Sequence, residues 1–204
     1  MPGIAQTLTA AIATLILTAC ANTHSPLEDY EQVRPGVILD PPEPLPSSHP
    51  AERVERGRYL VALLGCGNCH TDGSLIGLPN AERILAGSQV GIAWSNPLED
   101  SNPGVVYPSN LTPDPETGIG NWSLQDIVTM LLSGVDSHGS LSLPVMPWLA
   151  YSSLLPEDAT AIAMYLESLP PVKHRVPDNV GPGRPARTPY IHFGIYRSRH
   201  AGPK

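Results

Sequence analysis

Residues 63–71, Leu63-Leu64-Gly65-Cys66-Gly67-Asn68-Cys69-His70-Thr71, put two of the chain's three cysteines within four positions and a histidine directly after the second. Closely spaced thiols serve a disulfide, a metal knuckle, a redox dithiol or the anchoring of a larger group. A disulfide alone leaves the histidine without a purpose. A thioredoxin-like dithiol sits in a βαβ setting, whereas the flanking pattern here is helical and loop-like. Structural zinc needs four ligands, usually with further Cys or His at close spacing, and Cys20, the one other cysteine, stands in a lipidation-type context far upstream.

The pattern CxxCH is the attachment signature of c-type haem. Both thiols add to the two vinyl groups on one porphyrin edge, and the following residue then puts an imidazole beneath the iron. Cys66 and Cys69 are therefore the expected thioether sites and His70 the expected proximal ligand. A distal ligand is sought among the methionines and the remaining histidines. Met130 and Met164 fall on predicted helices, where methionine is usually plastic core filling. Met146 lies in "LPVMPW", where Pro144 and Pro147 pre-set the backbone around it, and it is the first candidate; ordinary core packing is the other reading. His138, in "VDSHGS", is the second candidate, with a solvent-exposed loop residue as its alternative. The other histidines lie in predicted tether or tail and are read as surface residues.

The surrounding chain sets the context. It has 204 residues, a formal net charge of −7, 24 prolines and 18 glycines. That composition suits one globular domain with much loop and some non-globular chain. With no dense Lys/Arg run and a pI near 5.4, it lacks the basic footprint that nucleic-acid binding needs. Residues Leu8 to Leu17 form an uncharged apolar stretch of signal-peptide length, ending at Leu17-Thr18-Ala19-Cys20. This tetrapeptide resembles a bacterial lipobox, which makes 1–19 a lipoprotein signal peptide and Cys20 the lipidated residue; an uncleaved anchor and full secretion are the alternatives. All three place the rest of the chain outside the cytoplasm. The lipid anchor puts it on the periplasmic side of a bacterial membrane, and Ala21 favours the outer one. Residues 20–50, lipidated Cys and Pro-rich, read as a tether, 51–175 as the domain, and 176–204 as an irregular tail.

Within the domain, Val54, Gly57, Val61 and Leu64 make a helical stripe ending at Gly65. Ser123 and Asp126 have capping-box spacing ahead of a helix over 124–133 stopped by Gly134. A third helix is expected over 156–169, with Pro156 at its first position and Leu155 an unsuitable cap. Between the first two lie some fifty Gly-, Pro-, Asn- and Ser-rich residues with no alternating strand pattern. Loops that long are unusual in a compact domain, and a large apolar cofactor would explain how they are held.

These residues resemble the class I cytochrome c family: a helix running into CxxCH, a long loop, a middle helix, a methionine loop and a C-terminal helix crossing the first. Residues 110–128 ("NLTPDPETGIGNWSLQDIV"), "MPW" and 164–172 ("MYLESLPPV") are most similar to the haem domains of multihaem cytochrome subunits of membrane-bound alcohol, aldehyde and gluconate dehydrogenases. The resemblance covers roughly 52–173 and implies an all-α cytochrome c fold, three main helices around one covalent haem c. It implies that Gly57 admits the third helix against Tyr165, and that Asn110 and Trp122 lie near the haem propionates. Core packing is the other reading of Trp122. The segment Ser140 to Leu143 departs from the polar residues usual in those relatives.

The function expected from this is not enzymatic: a monohaem, His/Met-ligated, lipid-anchored electron carrier. Its redox partners would be a periplasmic dehydrogenase or respiratory complex as donor and an oxidase or other cytochrome as acceptor. The alternative is a haem enzyme, or a small-molecule-reacting haem protein, with a labile distal ligand.

Overall fold

The computed structural model describes residues 30–33, 39–96, 101–135 and 145–193. By its internal contacts the chain divides into Met1–Glu31 and Gln32–Lys204, and every element below belongs to the second unit. Cys20, His24, His138, the segment 140–143 and His200 lie outside the described residues. Among the described residues no helix is long and apolar enough to cross a membrane.

Helix α1, Ala51–Leu63, buries Val54, Gly57, Leu60 and Val61 along one stripe. It stops because Leu64 and Gly65 turn away: the Gly65 N–H donates to Ala62 O at 3.1 Å, and Gly65 adopts φ +69°, the left-handed conformation that glycine enters without a Cβ penalty. The short helix α2, Cys66–His70, starts at once in a new direction. Helix α3, Leu124–Ser133, begins with a complete capping box, in which the Ser123 side chain accepts from Asp126 N and Asp126 from Ser123 N, and ends at Gly134. Helix α4, Trp148–Tyr151, is a single turn. Helix α5, Pro156–Glu167, has Pro at its start and, as its sequence implies, no side-chain cap at Leu155.

The core is the crossing of α1 with α5, with α3 laid against α5. Val54, Leu60 and Val61 meet Ile162, Tyr165 and Leu166, while Ile127 and Leu131 close the other side. Small residues make the approach possible. A Cβ at Gly57 would lie 2.6 Å from the carbonyl carbon of Ala161 and 2.7 Å from Tyr165 Cβ.

Three features differ from the sequence-based reading. The chain is mostly helical, yet it carries a small sheet: β1 (Gly91–Ala93) pairs antiparallel with β2 (Val105–Val106) and parallel with β3 (Tyr190–His192). Strands of two or three residues are too short to show alternation, which is why the loop region gave no strand signal. The tail is also not wholly irregular, since β3 comes from it. Its return path is fixed by Val180, whose N–H and C=O both bond Val105 at 2.8 Å.

The proline-rich stretch before α1 is the third difference. From residue 41 on it lies against the domain: Leu45 N donates to Ser168 O at 2.7 Å, Tyr165 OH to Pro42 O at 2.7 Å, and Glu43 pairs with Arg58. His49, expected at the surface, bonds Glu167 at 2.8 Å. Proline removes donors but leaves carbonyls, and those carbonyls are what Tyr165 and Arg58 use.

The loops between α2 and α3 are held largely by buried polar groups. The Asn110 amide donates to Val172 O at 2.8 Å and Thr117 Oγ1 at 3.1 Å, while its oxygen accepts from Thr112 N and Thr112 Oγ1. His174, read as a surface residue, is instead 7% exposed: its Nδ1–H donates to Ala86 O at 2.9 Å and its Nε2 accepts from Gln89. Arg83 beside it donates to Asp72, whose other oxygen accepts Gln89 N–H. Buried polar atoms that are fully paired specify one loop conformation. Among the described residues no buried side-chain polar atom lacks a partner.

Candidate functional site

The turn at Gly65 directs α2 along the wall of a cavity of about 350 Å³, a size typical of sites for drug-sized ligands and cofactors. Cys66, Cys69 and His70, all on α2, line it, as do Met146 and Trp122. The remaining walls are mainly apolar, from Ile92 of β1, Leu111, Leu131 of α3, and Ile162 and Leu166 of α5. The elements that cross to make the core thus also enclose the site.

Each of the motif's side chains has a defined state. The two thiols are unbridged. Burial pushes the Cys66 thiol up to about 11 and raises that of Cys69 as well, so both are neutral thiols at pH 7. A zinc knuckle needs four ligands, and among the described residues no group of three or more His, Cys, Asp or Glu side chains is placed to hold a metal ion. His70 donates its Nδ1–H to the Ser109 carbonyl at 2.7 Å. Burial lowers its pKa, opposed by that bond. The imidazole is thereby fixed as the neutral tautomer with Nε2 as its remaining lone pair, the arrangement by which an outer partner orients a metal-binding histidine.

The His70 backbone is equally constrained. Gly87 N donates to His70 O at 2.8 Å, and Leu85 N donates to Thr71 Oγ1 at 3.2 Å. Leu85 is fully buried and adopts φ +60°, which costs a bulky residue about 1–3 kcal/mol. Its carbonyl accepts from Leu111 N at 2.8 Å. This strained residue joins the segment after the CxxCH motif to the segment that carries Ser109.

The residues anticipated from the sequence separate here. Cys66, Cys69, His70, Met146 and Trp122 line one cavity. Asn110 does not: it is 2% exposed and its amide is spent on Thr112, Thr117 and Val172, so it is a staple of the loops rather than a wall residue. Met130, read as core filling, does reach the cavity, whereas Met164 packs against the core. Tyr107, Ser109 and Asn179 are wall residues that the sequence reading missed. Ser109 acts through a backbone carbonyl, which leaves no trace in residue type.

The set fits a haem group. Two thiols and an imidazole stand on one wall, the imidazole is oriented from behind, a thioether is available, and the lining is apolar enough to take a porphyrin face.

No family model matches the chain. It is 34% identical over 130 residues to the fructose dehydrogenase cytochrome subunit of Gluconobacter japonicus, covering 64% of this chain and 24% of that protein. It is 33% identical over 128 residues to the cytochrome c subunit of the quinone alcohol dehydrogenase of Gluconobacter oxydans, covering 61% and 24%. A diheme cytochrome c-type protein of Cereibacter sphaeroides is 28% identical over 118 residues, 58% of this chain and 36% of that one. The chain spans about a quarter of the length of the dehydrogenase subunits it matches. Over most of its domain it is similar to cytochrome c subunits of dehydrogenases, in keeping with a CxxCH motif set on the wall of an apolar cavity.

Proposed function

We propose that the chain is a c-type cytochrome with a single haem, an electron carrier rather than an enzyme, attached through a lipid on Cys20 to the periplasmic side of a bacterial membrane. Cys66 and Cys69 form the thioether bonds, His70 Nε2 is the proximal ligand and Met146 the distal ligand. Its electrons come from a periplasmic dehydrogenase or respiratory complex and go to an oxidase or another cytochrome. The observation that carries this reading is the His70 ring: it stands beside both thiols, and the Ser109 carbonyl holds Nδ1 so that Nε2 is the nitrogen left for iron.

Bound there, the haem supplies a one-electron couple. The chain's own residues set its terms. Ser109 fixes the imidazole and raises its basicity as a ligand. Met146 offers a neutral thioether, which favours the ferrous state and a high potential. Leu111, Leu131 and Ile162 make the lining apolar and would keep water from a haem held there. Two protein ligands close the coordination sphere and disfavour reaction with oxygen or peroxide.

The test is the far-red absorption of the ferric protein, where a bond between methionine sulfur and iron gives a weak charge-transfer band. The band is expected in the parent and in Met130→Ala, and absent in Met146→Ala. Loss in Met130→Ala instead would move the ligand to α3. A parent without the band would overturn the Met ligation and leave the haem enzyme with an open iron as the reading to pursue.

A further inference from the structure

The C-terminal arm, residues 177–192, touches the site in a way that neither the motif nor the relatives' names assign. Two of its bonds grip Tyr107, a buried wall residue. Asn179 Oδ1 accepts the Tyr107 N–H at 2.9 Å, and Thr188 Oγ1 donates to the Tyr107 hydroxyl at 2.8 Å. Val180 pairs with Val105, and Pro189 O accepts Gly91 N–H at 2.9 Å. The arm is thus stitched to β1 and β2, both of which wall the cavity through Ile92 and Val106. Asn179 itself is part of the lining and stands at its solvent-exposed rim.

The orientation of that carboxamide follows from its bond. A backbone N–H can only be met by the amide oxygen, so the oxygen is committed to Tyr107 and the group Asn179 has left to offer is its nitrogen, a donor. The wall is otherwise mainly apolar, and a donor at the rim of such a cavity suits an anionic substituent that stays near solvent. A porphyrin of the haem c type carries two carboxylates on the edge away from its thioether bonds. Asn110, the residue expected to serve them, is fully occupied elsewhere.

We propose that Asn179 is a cofactor-binding residue whose amide nitrogen donates a hydrogen bond to a haem carboxylate, so that the C-terminal arm is part of the haem site. This rests on the haem reading above. A hydrogen bond to the charged form of a carboxylate lowers its pKa, and the ionisation of a haem carboxylate appears as an inflection when reduction potential is plotted against pH.

The experiment compares full-length, haem-loaded parent with Asn179→Asp, Asn179→Ala and Thr188→Val. Asn179→Asp keeps an oxygen for Tyr107 N–H, and so keeps the arm in place, while removing the donor and adding charge. Thr188→Val loosens the arm without touching the donor. The inflection is expected to move up by about one pH unit, a tenfold change in ionisation constant, in Asn179→Ala, and further in Asn179→Asp. In Thr188→Val it stays where the parent has it. Curves for both Asn179 variants that superimpose on the parent would overturn the proposal, as would an equal shift in Thr188→Val. Failure of the haem reading looks different: the denatured parent would carry no covalent haem in its reduced pyridine spectrum.

Discussion

Replacing Gly57 by alanine tests the architecture at its tightest point. In an exposed helix this change stabilises by about 1 kcal/mol, because alanine is the better helix former. At the α1–α5 crossing the new Cβ would stand 2.6 Å from the Ala161 carbonyl carbon and 2.7 Å from Tyr165 Cβ, where ordinary contact is 3.4–4 Å. The obstacle is backbone, which has no rotamer to retreat into, so the helices must part by about 1 Å, a gap that forfeits a quarter to a half of each affected contact. Overpacking of this kind costs about 1–3 kcal/mol, and with the obstacle rigid the upper end applies. Subtracting the propensity gain leaves a net loss of about 2 kcal/mol. For a chain of this length that corresponds to a fall in melting temperature of about 4–8 °C. The assay is thermal unfolding of haem-loaded protein followed by far-ultraviolet circular dichroism. Gly181→Ala is the control, since a Cβ there meets nothing within 4 Å, and it should leave the melt unchanged. A Gly57→Ala variant as stable as the parent, or more stable, would refute the crossing described here.

Two further outcomes follow from the hydrogen bonds. Asp126 is held below the usual carboxylate range chiefly by the Ser123 hydroxyl, Asp114 by Thr117, and Asp158 by Arg56. A depressed folded pKa gives stability that is present above the unfolded value near 3.9 and lost as pH falls through the folded one. Stability should therefore drop as pH is lowered below about 4. Ser123→Ala should cost about 1 kcal/mol at pH 7 through the lost cap and should flatten that drop; an unchanged slope in acid would contradict the Ser123–Asp126 coupling. Tyr165→Phe deletes the bond to Pro42 O and should cost about 1 kcal/mol. Hydrogen exchange at Leu45 N–H, which is bonded to Ser168 O, should then quicken about fivefold; no change there would mean that the 41–50 segment is not held through Tyr165.

Much of the helical frame was legible because its signals are local. The capping spacing of Ser123 and Asp126, Pro156 at a helix start and glycines at 65 and 134 each act within one turn of chain, and the helices stand where those residues put them. CxxCH is local too: five consecutive residues carry the pattern on which the haem proposal rests, wherever they sit in the fold. What the linear order left hidden depends on partners distant in sequence. Asn110 looks the same whether its amide meets a cofactor or Val172, 62 residues away; His174 looks like tail until it meets Ala86 and Gln89. The strands are too short to carry a period, and the arm's hold on Tyr107 runs across 72 residues through a backbone N–H common to almost every residue type. Residue type thus singled out the CxxCH segment and the expectation attached to it, while the folded chain decided which side chains stand around it, because hydrogen bonds between remote segments select by position and geometry rather than by identity.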